Sequence, residues 1–216
     1  MSRRRRRSRT ATGSLAASVL ATLALTGCFT GERPHLAESA ASTGDPAVDA
    51  VLTLLDTSRT ATFSADYTVL TRFGGLESPA SVVQAGDRRS ITVGPIRFIF
   101  DGSSTATCQL ETGACTETID AGMISNTQLA PDFYGSSAAA RLRRDAAARV
   151  GPTTARVETI GGQPATCVTL PIAETTTTYC ALSDGVLARL DGADVVIELT
   201  AHSASADESK FARTSS

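Results

Sequence analysis

The rhythm of apolar and polar positions divides this chain into segments of different kinds. Leu15 to Leu25 is one apolar run rich in Ala, Leu and Val. Residues 29–45 show no sustained period and are rich in Ser, Ala, Gly, Glu and Pro, which predicts a flexible tether. From Pro46 to Arg59 the apolar positions Val48, Val51, Leu52 and Leu55 recur at i, i+3, i+4 and i+7, predicting a helix with one apolar face. Asp45 suits its N-cap and Pro46 its first position. From Ala61 the period becomes two. Phe63, Ala65, Tyr67 and Val69 alternate with Thr62, Ser64, Asp66 and Thr68, as in a half-buried strand of about ten residues.

Short strands then follow between turn signals. Ser81 to Gln84 precedes Gly86-Asp87, Arg89 to Val93 precedes Gly94-Pro95, and Ile96 to Phe100 precedes Asp101-Gly102. Thr105 to Leu110 turns at Thr112-Gly113 into Cys115 to Thr118. Such short loops suit antiparallel neighbours, because parallel strands need long crossovers. Ile119 to Tyr134 is irregular. Ser137 to Val150 predicts a second helix, capped by Ser136 or Ser137 and stopped by Gly151-Pro152. Its stripe of Ala139, Leu142, Ala146 and Val150 is thin, and Arg141, Arg143, Arg144 and Arg149 supply its charge.

Strands resume at Arg156 to Ile160, Pro164 to Leu170, Thr175 to Leu182 and Val186 to Leu190, and end with the alternation Val195, Ile197, Leu199. Residues 203–216 are polar and read as a frayed, disordered tail. The pattern predicts one α+β domain at 46–202: an antiparallel sheet of nine or ten strands, wide enough to curl, with about two helices on its concave face.

The first 27 residues change the reckoning of charge. Six arginines precede the apolar run, which is shorter than the roughly 20 residues a transmembrane helix needs. Basic start, apolar stretch and small residues make a secretory signal. Without residues 1–27 the chain has 189 residues, 14 basic against 22 acidic, a net charge of −8 rather than −2. An acidic exported chain is unsuited to nucleic acid. The abundance of Ala, Thr and Arg beside a single Lys points to a high-GC genome such as an actinobacterium's.

Leu25-Thr26-Gly27-Cys28 resembles the lipobox of bacterial lipoproteins. That resemblance implies cleavage before Cys28, a diacylglyceryl thioether on its sulfur, and placement on the outer face of the cytoplasmic membrane. A plain signal peptide with a chance Cys is the alternative. Lipid on Cys28 would leave Cys108, Cys115, Cys167 and Cys180, an even set suited to two disulfides in an oxidising compartment. Three pairings are open; proximity favours Cys108–Cys115 and Cys167–Cys180. A four-Cys zinc site is the rival, though no Cys-x-x-Cys pair is present.

The order of elements resembles the LolA-like half-barrel family, in particular the LppX/LprG-type lipoproteins of mycobacteria. The matching features are Cys28, the helix at 46–59, the strand Phe63-Ser-Ala-Asp-Tyr67, the helical insertion, and a final meander ending Asp184-Gly185-Val-Leu-Ala-Arg-Leu-Asp191-Gly192. The resemblance implies a carrier or sensor of lipid or lipoglycan, with a cavity between sheet and helices and no cofactor. Candidates to line it are Val51, Leu55, Phe63, Tyr67, Val69, Phe98, Phe100 and Leu142. The same residues would serve equally as filled core, and the domain would then act as an envelope interaction module on a protein partner.

Chemistry is sparse. His35 falls in the tether and His202 at the end of the last strand, so a Ser–His–Asp triad has only His202 to use. Asp184 and Asp191 sit in Asp-Gly pairs that read as hairpin turns rather than metal ligands. No metal site and no catalytic set is expected, and an unrecognised hydrolase is the minor alternative. The arginine-rich helix is either a solvated face or a basic cavity mouth that attracts anionic headgroups.

Overall fold

Two antiparallel meanders meet side by side in the computed structural model, which describes residues 42–213. The first meander comprises β1 (Thr62–Thr71), β2 (Leu76–Ala85), β3 (Arg88–Val93), β4 (Ile96–Asp101), β5 (Ser104–Gln109) and β6 (Ala114–Thr116). The second comprises β7 (Thr154–Ile160), β8 (Gln163–Ile172), β9 (Thr175–Leu182), β10 (Leu187–Asp191) and β11 (Val195–Ser203). The first and last strands, β1 and β11, pair in the middle, giving one open sheet of 11 strands ordered β6-β5-β4-β3-β2-β1-β11-β10-β9-β8-β7. The architecture is the α+β, curled antiparallel sheet that the pattern predicts, with eleven strands instead of nine or ten.

The curl shows in contacts between strands that are not neighbours. β7 and β10 stand three strands apart, a lateral distance of about 14 Å in a flat sheet. Glu158 of β7 nevertheless pairs with Arg189 of β10. Gly161, in the β7–β8 turn, lies against Leu199 of β11. As a result Cys167, Val168, Tyr179, Cys180 and Ala181 are buried, so β8 and β9 are covered on both faces rather than one.

Helix α1 (Pro46–Thr57) begins where the sequence places it. The Asp45 carboxylate accepts from the backbone N–H of Ala47 and Val48, at 3.0 and 3.3 Å. Val48, Val51, Leu52 and Leu55 are buried against the sheet and α3 (Ser136–Ala148). Residues 42–45, read as the end of the tether, wrap the helix start: the Thr43 backbone N–H and hydroxyl both donate to Asp49 at 2.8 Å. The rest of the tether, the signal and the lipobox Leu25, Thr26, Gly27 and Cys28 lie outside the described residues.

Three expectations need correction. The irregular middle contains a short helix, α2 (Ala121–Thr127), capped by Asp120, which accepts from Gly122 and Met123. None of its residues is buried, so it leaves no apolar period to read. Gly135, not Ser136 or Ser137, is the N-cap of α3; both serine hydroxyls instead donate to Asp132. Residues 204–213 do not fray. They fold onto the sheet face opposite the helices, where the Ser90 hydroxyl donates to the Lys210 carbonyl at 2.7 Å. Phe211 is buried there, in a 3₁₀ turn at Glu208–Phe211. This segment covers a second small core of Ile99, Ala106 and Cys108, which alternation of β4 and β5 presents away from the helices.

The disulfides are Cys108–Cys115 across β5–β6 and Cys167–Cys180 across β8–β9. Both link residues directly opposite in register, so the strands hold the sulfurs together without backbone movement. In the chain-entropy model, loops this short contribute about 2.5–3 kcal/mol each.

Candidate functional site

An open cleft of about 380 Å³ lies where the β1, β10 and β11 ends meet α3 and the segment 128–133. Its apolar wall is Leu129, Phe133, Ala138, Leu190, Val195 and Ile197, and its rim carries Phe73, Arg141, Arg144 and Asp194. Three elements are tied together around it. The Arg72 side chain donates to the Gly192 carbonyl at 2.8 Å and pairs with Asp191 at 2.6 Å, joining the β1–β2 tip to the β10–β11 turn. Arg141 on α3 pairs with Asp194 in that same turn, one bond measuring 3.0 Å. Gly192 permits this approach, since a Cβ there would lie 2.7 Å from the guanidinium.

The loop behind the cleft is held from within. Tyr134 donates to the Gln84 side-chain oxygen at 2.7 Å, and the Gln84 amide donates to the Ser58 and Ala61 carbonyls at 2.6 and 3.1 Å. Gln84 is fully buried, so the end of α1, the start of β1 and the 128–135 loop meet at one hydrogen-bonded side chain. Burial raises the Tyr134 hydroxyl to about 12, keeping it a donor. The Phe133 ring meets Tyr67 edge-on at 5.2 Å and Tyr134 meets Phe63 at 5.7 Å.

This filling places the predicted cavity residues. Val51, Leu55, Phe63, Tyr67, Val69, Phe98 and Leu142 are fully buried. Phe100 is half-buried beneath Arg89, whose guanidinium lies 4.7 Å from its ring centre. None of the eight is among the residues that line the cleft. The bulky filler that strand alternation does not supply comes from the irregular middle: Leu129, Phe133 and Tyr134 sink between sheet and helices and close the space behind the cleft. No periodicity marks them; only the adjacent aromatic pair Phe133-Tyr134 in an irregular stretch could have singled them out.

The helix arginines divide. Arg143 pairs with Asp56 at 2.8 Å, Arg149 approaches Asp45 at 3.8 Å, and Arg141 is held by Asp194. Arg144 is exposed, lines the cleft, and forms no ion pair among the described residues. Its position therefore fits the basic-mouth reading, while Arg143 and Arg149 fasten α3 to α1.

His202 is not simply exposed. It stacks on Phe63 at 6.3 Å between ring centres, and its Nε2 lies 2.8 Å from the Asp184 carboxylate, at an angle that makes no hydrogen bond. No hydroxyl hydrogen-bonds His202 among the described residues. Asp184 belongs to the β9–β10 turn, where it accepts from the Val186 N–H, and Asp191 is paired with Arg72. Glu158 lies within 4.8 Å of the Cys167 and Cys180 sulfurs, but those sulfurs are joined to each other.

Asp132 anchors the start of α3. Burial raises its pKa, yet the hydroxyls of Ser136 and Ser137 and nearby Arg89 outweigh this and hold it below the ordinary value. Asp45 behaves alike: burial opposes, while Thr153 and the helix N–H groups prevail. A carboxyl with a lowered folded-state pKa stabilises above the unfolded value of about 3.9, and that stability is lost as pH falls through the folded value. Melting temperature is therefore expected to drop steeply below about pH 4. In an Asp132→Asn chain it should be lower at neutral pH and decline less on acidification. Parallel acid limbs would remove Asp132 from this role.

Comparisons with known proteins place no family on the chain. No family model matches it, and no curated protein does. Among solved structures, "Crystal structure of MucB" aligns over 78% of this chain and 63% of that one, at 12% identity and a TM-score of 0.48. "The complex structure of Pseudomonas aeruginosa MucA/MucB" aligns over 77% and 60%, at 14% identity and 0.45. LprF from Mycobacterium bovis aligns over 70% and 91%, at 15% identity and 0.37. The chain spans less than two thirds of the MucB chains it matches.

Proposed function

We propose that this chain is an exported lipoprotein, anchored through Cys28 on the outer face of the cytoplasmic membrane. Its domain would take part of an amphiphile, a lipid or lipoglycan, into the cleft beside α3 and assist its passage through the envelope. The observation that carries this reading is the pairing of two chemistries at one opening: an apolar wall and the exposed Arg144 at its rim, which has no ion pair among the described residues. Cavities of a few hundred Å³ with apolar walls and few polar groups suit small ligands. We propose no reaction, cofactor or nucleic-acid ligand.

A second reading has its own support. The core behind the cleft is filled by Phe133 and Tyr134, as expected of an interaction module that presents the cleft to a protein partner.

Native mass spectrometry of the full exported chain, with solvent extraction of what it carries, separates the two. A discrete adduct beyond the anchor, extracted as lipid, is expected. Ala130→Trp should remove it: Ala130 is exposed at the cleft, so the indole fills the opening without entering the core. A clean mass with no uptake of offered envelope lipids would leave the interaction module.

A further inference from the structure

We infer that the β1–β2 tip, residues 72–76, enters the headgroup layer of a lipid bilayer with Phe73 and Leu76. The inference rests on the anchored reading for its choice of occupant and on the following geometry for its site.

Phe73 is 90% exposed and Leu76 57%. Lone exposed apolar side chains are ordinary. Here two of the four large exposed apolar side chains among the described residues stand on one five-residue tip. Gly74 and Gly75 between them have φ of +88° and +63°, and a Cβ on either would meet nothing within 4 Å. Arg72 fixes the base of the tip to the β10–β11 turn, and beyond it the tip offers Phe73 and Leu76, side chains of the kind that interfacial segments bury. Phe73 also borders the cleft, so a bilayer meeting the tip meets the cleft mouth too.

The chain enters the domain at the same end of the sheet. One row of paired residues runs Leu70, Val196, Asp191, Thr178, Thr169, Thr154 from β1 to β7. Just beyond one end of this row lies the tip. Just beyond the other lies Thr153, whose hydroxyl donates to Asp45, the N-cap of α1, at 2.8 Å. Thirteen residues lie between Cys28 and Ser42, a span of at most ~50 Å. An anchor at Cys28 therefore tethers the domain by the end that carries the tip. The exposed Arg144, which lines the same cleft as Phe73, is available to a lipid phosphate, while the exposed Glu77 beside Leu76 carries the opposite charge.

The chain contains no Trp, so one introduced indole reports its own surroundings. Full-length Phe73→Trp and Val157→Trp chains are reconstituted in phosphatidylcholine–phosphatidylglycerol vesicles with brominated acyl chains. Position 157 is a 73% exposed site on edge strand β7. Blue-shifted emission and bromine quenching are expected at 73, with neither at 157. Equal quenching at both, or water-like emission at 73 that acrylamide quenches as it does at 157, overturns the tip. Vesicle flotation of a Cys28→Ala chain tests the anchor separately. If that chain and the unsubstituted one float alike, the anchor fails. The emission from position 73 with added vesicles then still decides the tip: a blue shift supports it and no shift overturns it.

Discussion

Gly185→Ala is expected to unfold the domain or to lower its stability by about 4 kcal/mol or more, in the range reached only by severe steric and core defects. Gly185 has φ +87°, and a Cβ there would lie 2.2 Å from the Leu54 carbonyl oxygen, 2.5 Å from the Thr57 hydroxyl and 2.6 Å from the Ser58 nitrogen. Two of these three are backbone atoms at the end of α1, so no rotamer change relieves the clash. The strand or the helix must move, and α1 carries four buried side chains of the main core. Gly162→Ala is the control. Its φ is also positive, at +76°, but nothing lies within 4 Å of the added carbon. It should cost only the left-handed penalty of about 1–2 kcal/mol. Urea denaturation of both variants is the measurement. Equal losses would mean that α1 does not rest on the β9–β10 turn.

The second large effect is expected at Gln84. Gln84→Leu keeps most of the volume and removes every polar contact. The Ala61 carbonyl and the Tyr134 hydroxyl then lose the partner that Gln84 supplies, and the Ser58 carbonyl keeps only the Ala61 N–H, at 3.3 Å. Each buried orphan costs about 1–3 kcal/mol, and a total of about 4 kcal/mol is expected. Adding Tyr134→Phe removes one orphan, so the double variant should be more stable than the two single losses sum to, by about 1 kcal/mol. Strict additivity in denaturant titrations would show that the two side chains do not act together.

The elements that pack by periodicity were legible in the sequence. Helix α1 and the alternation of β1 follow from residue type alone, because each shows one face to one core. The sequence pattern predicts β2 from Ser81. The structure extends β2 back to Leu76: β3 ends opposite Ala80, and beyond it the Pro79 carbonyl accepts only from the Gly94 N–H, at 2.9 Å, so no ladder bond needs the N–H that proline lacks. The cleft was not legible. It is assembled from Phe73, Leu129, Ala138, Leu190 and Val195, which lie far apart in the chain and share no period. The tail's order is not legible because its hold on the sheet rests on one aromatic, Phe211, and on scattered polar contacts such as Arg88–Glu208 and Ser90 to the Lys210 carbonyl, none of which makes a pattern.

Pairing β1 with β11 also fixes the order in which the molecule can be completed. A chain emerging N-terminus first, from a ribosome or a membrane channel, can zip β1 to β6 as each hairpin appears. The free side of β1 must then wait until Val195–Ser203 has emerged. Over that interval a ten-residue strand with one apolar face stands as an open edge, the form most prone to pairing with another chain. Closing the centre last, between strands more than 120 residues apart, is the kind of non-local pairing that makes folding slow.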